Sequence, residues 1–255
     1  MNDDELAARA DDNYAVWWRL WASATDRGEV HDLDGILMAL TGGRQEWWNI
    51  AFISAALETP VKTIEAVLRF FDDRQQPFIM RVRDGLDPAA EEAAETLGIR
   101  YSDTIPGMAL SPLEPPDDAP PGLEIRTVAD QATLDDHMAI SAESFRINPR
   151  ELPALAPLKL IEQPGWFIYV GYVDGQPVTS SSLLLSGDTA GVYWVGTVAA
   201  HRKRGLGEAM TWHALREGAK RGATVGILQA SNMGKPIYER MGFHVVSPYR
   251  TFVRK

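Results

Sequence analysis

The chain has 255 residues and a formal net charge of −10; it is 45% hydrophobic, 24% charged and free of cysteine, the composition of an ordinary globular protein with room for two domains. The absence of cysteine excludes disulfides, thiolate zinc sites and cysteine nucleophiles. The five histidines show no metal-ligand spacing, no apolar run reaches the roughly 18 residues of a membrane helix, and the acidic start Met1–Glu5 does not read as a signal peptide. The expectation is a cytoplasmic protein with no metal and no membrane partner. The negative charge lies in the first half: residues 1–114 carry 10 Lys+Arg and 21 Asp+Glu, whereas residues 119–255 carry 15 and 12. That balance argues against a nucleic-acid partner and leaves a cationic substrate or plain solubility open.

Residues 3–24 read as an amphipathic helix, because Leu6, Ala10, Tyr14, Trp17, Trp18 and Trp21 recur at steps of three and four. Three tryptophans on one face read as core or interface rather than as a ligand platform. Strands are expected at 35–40 and 47–53, turning at Gly42-Gly43. Thr59-Pro60 starts a helix with Ile64, Val67, Leu68 and Phe71 inward. A strand at 77–82 follows, then a helix from Asp87-Pro88 to Leu97, closed by Gly98, and a strand from Ile99 to Met108. Residues 112–122 hold five prolines and read as a stiff extended linker. Beyond it come a strand at 123–128, helical segments at 133–145 and 152–161, and a strand at 166–173. The turn Asp174-Gly175 leads to a strand at 177–185, and Ser186-Gly187-Asp188 to a strand at 190–198. The chain ends with a helix at 208–221, a strand at 223–230, a short helix at 235–241 and two strands at 243–246 and 249–253.

Between strand 190–198 and helix 208–221 lies Arg202-Lys203-Arg204-Gly205-Leu206-Gly207. Two glycines remove side chains where a backbone approaches something closely. The following helix turns free N–H groups and the positive end of its dipole outward, and three basic residues add charge. The stretch therefore reads as a pyrophosphate cradle, with a tight, solvated basic turn as the plain alternative. Met210 stands where a dinucleotide-binding fingerprint needs its third glycine, and no Gly-Lys-Ser/Thr follows, so neither of those nucleotide loops fits.

About thirty residues later comes Ala230-Ser231-Asn232-Met233-Gly234-Lys235-Pro236-Ile237-Tyr238-Glu239-Arg240-Met241-Gly242-Phe243. The element order, the Arg-x-x-Gly-x-Gly cradle and the Tyr-x-x-x-Gly-Phe ending resemble the GNAT superfamily of acyl-CoA-dependent N-acetyltransferases, over residues 123 to about 253. Ala199, where the family commonly has a proline, and the Ser231-Asn232 placement depart from its pattern. The resemblance implies an α+β fold with a mixed twisted sheet of about seven strands, helices on both faces, and acetyl-CoA as co-substrate. It implies that residues Arg202, Lys203, Arg204, Gly205, Leu206, Gly207 and Glu208 hold the pyrophosphate. Val195, Thr197 and Val198 would pair with the pantetheine arm, and Ser231 or Asn232 would touch the cofactor across the splayed sheet. Tyr238 would be the general acid for the departing thiolate, since a phenol near pKa 10 can protonate a thiolate near 8.5. Direct attack by a primary amine in a ternary complex is implied, with an oxyanion donor in the fourth strand near Val198. No base stands out; Glu143, His201 and water are the candidates, and acceptor specificity is assigned to residues 133–165.

The first half carries a faint echo of the second. Glu95-Thr96-Leu97-Gly98-Ile99 parallels Glu239-Arg240-Met241-Gly242-Phe243, but Ala94 stands for Tyr238 and no Gly-x-Gly opens the helix at 60. Residues 1–111 therefore resemble a degenerate GNAT-like domain, joined by 112–122 to the domain at 123–255; such a half would complete the sheet, shape the acceptor cleft, or both. A non-catalytic acyl-CoA sensor and an interaction protein, with the tryptophan helix as a homodimer face, are the competing readings.

Overall fold

In a computed structural model, which describes residues 1–116 and 121–254, the chain begins with helix α1 (Asp3–Ala24). Asn2 accepts the Glu5 N–H at 2.8 Å while the Glu5 carboxylate accepts the Asn2 N–H at 3.1 Å, a reciprocal cap that fixes the helix start. Strands β1 (Glu29–Leu33) and β2 (Ile36–Leu40) form a hairpin on Asp34-Gly35, both at positive φ. Sequence reading missed β1, whose Glu-Val-His-Asp-Leu is a polar, half-exposed edge; the Asp-Gly turn was its available signal. Trp47 and Trp48, expected in a strand, lie in a 3₁₀ turn (Glu46–Trp48), and β3 (Asn49–Ile53) starts after them. Then come α2 (Pro60–Asp73), β4 (Ile79–Arg83), α3 (Pro88–Thr96) and β5 (Ile99–Leu110).

The expected linker 112–122 lies partly outside the described residues, at 117–120. Its start is docked on the fold: Leu113 is buried and its N–H bonds to Thr224 O at 3.0 Å. The second half contains β6 (Glu124–Thr127), α4 (Gln131–Phe145), α5 (Leu152–Leu155), β7 (Trp166–Val173), β8 (Gln176–Ser186), β9 (Thr189–Thr197), α6 (Leu206–Lys220), β10 (Val225–Gln229), α7 (Lys235–Arg240) and β11 (His244–Arg254). The two strands expected at the C-terminus are one, β11, irregular between Val245 and Ser247.

All eleven strands join one sheet in the order β1-β2-β3-β4-β11-β5-β10-β9-β8-β7-β6. The halves interleave within it: β11 inserts between β4 and β5, and β5 inserts between β11 and β10. The succession α2-β4-α3-β5 repeats as α6-β10-α7-β11, and β3–β4 and β9–β10 are the sheet's two parallel pairs. Alternation along the strands sends residues to two faces. On one face Leu37, Ile50, Phe52, Ile227, Leu184 and Tyr249 pack with α1 and α4. On the other, α2 and α3 cover the first half, with Ile64, Phe71 and Phe252 buried, and α6 covers the second, with Met210, Leu215 and Tyr169 buried. Burying a side chain of this size contributes roughly 1.5–3 kcal/mol, and α1 buries Tyr14, Trp17, Trp18 and Trp21 together.

Polar bonds also tie α1 to the second half. Asn13 donates to Leu184 O and Thr189 O and accepts from Tyr193 OH at 2.7 Å. Buried Asp11 accepts from Tyr249 OH at 2.7 Å and lies 3.6 Å from Arg83; burial nevertheless holds its carboxyl above the usual range. Among the described residues no helix is long and apolar enough to cross a membrane.

Candidate active site

Strands β9 and β10 run parallel and pair only at Val225–Ile227 with Thr189–Gly191. Beyond Gly191 they part, and the opening is the site. β9 is irregular there: Ser180 pairs with Gly196 and Ser182 with Tyr193, so Trp194 and Val195 together oppose Ser181. Trp194 has φ +53°, a left-handed conformation that a bulky residue rarely adopts and that a bulge enforces.

The cradle follows β9. Glycine at 205 is required by its conformation: it caps α6 at φ +76°. A Cβ there would meet nothing within 4 Å, and one on Gly207 would come no closer than 3.7 Å to Thr197 Oγ1 and Val195 Cγ1. Neither glycine is demanded by packing; both leave space above a helix start whose first N–H groups lack intrahelical partners. Arg202, Lys203 and Arg204 are exposed beside it. Arg202 Nε donates to Thr197 O at 3.0 Å, and Arg204 Nη1 lies 3.0 Å from His201 Nδ1. Leu206 is buried under the cradle, and Glu208 is half-buried in the first helical turn. These residues fit a diphosphate: open space, uncommitted N–H groups and positive charge coincide.

The other arm of the opening carries Gln229, Ser231, Asn232 and Tyr238. Ser231 and Asn232 are exposed, and the Ser231 hydroxyl accepts the Gly234 N–H at 3.1 Å. A Cβ on Gly234 would stand 2.9 Å from Tyr238 Cε2, so the glycine lets the Tyr238 ring lie across it. Burial pushes the Tyr238 phenol above its ordinary value of 10, with the Thr211 hydroxyl opposing, so the group stays protonated at neutral pH. Tyr238 reaches through the splay to a cavity on the α1 face.

That cavity, about 420 Å³, is lined at one end by Val195, Trp194, Ser231 and Tyr238 and at the other by Tyr14, Ile79 and Arg81. Trp17, Trp18, Trp21, Trp47 and Trp48 also line it. Trp17 stacks on Tyr193 at 4.8 Å and Trp48 on Trp194 at 6.1 Å. The tryptophans of α1 are thus core on one side and cavity wall on the other, a role that sequence reading did not give them. Of residues 133–165, where acceptor specificity was expected, Phe145 and Ile147 reach the cavity.

Two expected roles meet competing bonds. The Val198 N–H donates to Val178 O at 3.0 Å and is not free for an oxyanion. Glu143 does not line the cavity; its carboxylate accepts the Ala199 N–H at 2.6 Å, holding the turn after β9, and its outer side faces a separate groove with Ala142 and Pro153. His201 likewise faces Arg204 rather than the cavity. Among the described residues no group of three or more His, Asp or Glu comes together to hold a metal.

Residues 186–246 match the family model for the acetyltransferase (GNAT) domain. The structure resembles a GCN5-related N-acetyltransferase from Kribbella flavida at TM-score 0.74, with 17% identity over 97% of this chain and 95% of that one. It resembles a GCN5-related N-acetyltransferase from Sphaerobacter thermophilus at 0.62, with 16% identity over 88% and 81%. A tandem GNAT protein from the clavulanic acid biosynthesis pathway aligns at 0.60, with 13% identity over 86% and 77%. No curated protein sequence matches the chain. The domain match over 186–246 covers the stretch from the end of β8 into β11, and the chain as a whole shares the fold of the GCN5-related N-acetyltransferases it resembles.

Proposed function

We propose that the protein transfers an acetyl group from acetyl-CoA to a primary amine, in a ternary complex and with no covalent acyl-enzyme. The observation that carries this reading is the pairing of an open, glycine-lined, basic helix start with a bulged strand and a half-buried phenol at the other end of the same splay. Residues 123–255 supply this machinery. Residues 1–111 are the GNAT-like half without a cradle, since Pro60 opens α2 where α6 has Gly205 and Gly207.

The backbone of 204–208, with Arg202 and Lys203, holds the diphosphate. The edge of β9 from Val195 to Thr197 aligns the pantetheine arm, and Ser231 and Asn232 face it from the other side. Bound acetyl-CoA supplies a thioester carbonyl activated toward amines. The oxyanion donor is assigned to the bulge at Trp194–Val195, where β9 leaves the β8 ladder, rather than to Val198. Tyr238 holds the proton that the leaving thiolate takes up. The aromatic walls exclude bulk water. None of the described residues lining the cavity is a carboxylate or histidine, so the ammonium proton leaves to solvent before attack. Glu143 is a positioning residue for the turn that carries the cradle.

Titration of acetyl-CoA into the protein by calorimetry tests the reading, with Gly205→Glu as the control and thiol release followed over a panel of amines. Saturable binding lost in Gly205→Glu, with amine-dependent thiol release, is expected. No binding of acetyl-CoA or free coenzyme A overturns it.

A further inference from the structure

Arg81 lies on β4, on the sheet face covered by α1, and is only 8% exposed. Its Nε donates to Thr251 Oγ1 at 3.1 Å and its Nη1 to Tyr14 OH, both neutral partners. No carboxylate lies within 4 Å among the described residues; buried Asp11 is paired instead with Arg83, two positions along the strand. A buried cation without a counter-ion is costly, and Arg81 lines the cavity that Tyr238 reaches. The other unmet polar groups around this cavity point to the same kind of ligand. Among the described residues, Trp17 Nε1, Trp18 Nε1 and Gln229 Nε2 are buried donors without a partner, and none of those lining the cavity is acidic. Buried donors ordinarily find acceptors, and guanidinium is the group best suited to bind a carboxylate through two hydrogen bonds.

Resting on the acyl-transfer reading above, we infer that the acceptor is an amine bearing a carboxylate at some distance on an aromatic or apolar frame, the carboxylate held by Arg81. Distance enters through the sheet. β4 and β10 are three strands apart in the order β4-β11-β5-β10, roughly 14 Å at about 4.8 Å per step. Both ends of the cavity send side chains inward, but an α-amino acid, whose amine and carboxylate share one carbon, does not bridge them. An aminomethyl-benzoate or a short peptide with an apolar C-terminal residue does. The tryptophan walls supply flat apolar surface for the frame between.

The test uses matched pairs, 4-(aminomethyl)benzoate with its amide and glycyl-phenylalanine with its amide, with phenylalanine as the short control. Binding is read from tryptophan fluorescence, since six of the eight tryptophans line the cavity, with and without coenzyme A. At least one acid is expected to bind tenfold or more tightly than its amide. Arg81→Met should bring that acid to the level of its amide and leave the amide unchanged, while Arg81→Lys keeps part of the preference. Equal binding of acid and amide by the unmutated protein in both pairs overturns the inference, as does a preference undiminished in Arg81→Met; the first comparison stands even if the variant does not fold. Acid-selective binding without acetyl-CoA binding would keep the carboxylate site at Arg81 and remove the acyl-transfer reading, whereas acetyl-CoA binding without acid selectivity would do the reverse.

Discussion

Gly207→Ala separates stability from binding at one atom. Gly207 is the second residue of α6, and a helical glycine costs about 0.5–1 kcal/mol relative to alanine. An added Cβ would make ordinary contacts at 3.7 Å with Thr197 Oγ1 and Val195 Cγ1 and touch nothing else, so no clash offsets the gain. The variant should be more stable by about 0.5–1 kcal/mol, a rise of roughly 1–4 °C in Tm for a chain of this size. The same methyl projects toward β9, into the gap where the cradle backbone has to meet the diphosphate. Losing one or two charge-assisted hydrogen bonds there, at roughly 1.5–3 kcal/mol each, weakens acetyl-CoA binding by more than tenfold. Thermal unfolding and calorimetric titration on the same preparation read both quantities. An alanine variant that is equally stable or better and binds acetyl-CoA as tightly as the parent would refute the cradle assignment, because folding could not then be blamed.

Tyr238→Phe keeps the ring against Phe243 and removes only the proton donor; kcat should fall by about 10²-fold or more with acetyl-CoA affinity unchanged, and a fall of less than threefold would assign the proton to water. Gly191→Ala would put a methyl 2.0 Å from Asn13 Oδ1 and break the buried bonds of that amide, costing roughly 2–5 kcal/mol by urea unfolding; a loss under 1 kcal/mol would show that α1 can slide on the sheet. His137 is buried and its ring is held down to about 4, against 6.5 when free, by desolvation alone. The unfolded chain therefore binds the extra proton between those values, and stability falls as pH drops from about 6.5 toward 4, by roughly 3 kcal/mol in full. His137→Gln should flatten that slope in urea midpoints at pH 7, 6 and 5; an unchanged slope would place the titrating group elsewhere.

The helices were legible from local signals: the three- and four-residue apolar spacing within 3–24, Thr59-Pro60, Asp87-Pro88, and the glycine stretch before a helix expected at 208–221, which in fact begins two residues earlier at Leu206. The glycine stretch before α6 and the Tyr-x-x-x-Gly-Phe ending stood out as short local motifs; that they form a cradle and supply an acid is the reading proposed above. What lay beyond reading was contact between distant segments. Nothing in residues 244–254 says that they enter the sheet beside Ile99–Ala109, or that Ile79–Arg83 will meet Tyr249–Val253 from the other side. Arg81 sat inside the expected strand 77–82, whose other residues are apolar, and its burial follows from Tyr14 and Thr251, 67 and 170 residues away. Glu143 was placed correctly on its helix, yet its bond to Ala199 depends on how α4 crosses the end of β9.

The interleaving of β5 and β11 has a consequence in time. A ribosome adds about 5–20 residues per second, so roughly 7–30 s separate the appearance of β5 from that of β11. Throughout that interval β4 has no neighbour on its inner edge, and the aromatic face of α1, which rests on β2, β3 and β4 as well as on β8, β9 and β11, is only partly covered. An open strand edge and an uncovered apolar helix are the features that invite misassociation. The first half of this protein is therefore made early and completed only when the eleven residues of β11 emerge.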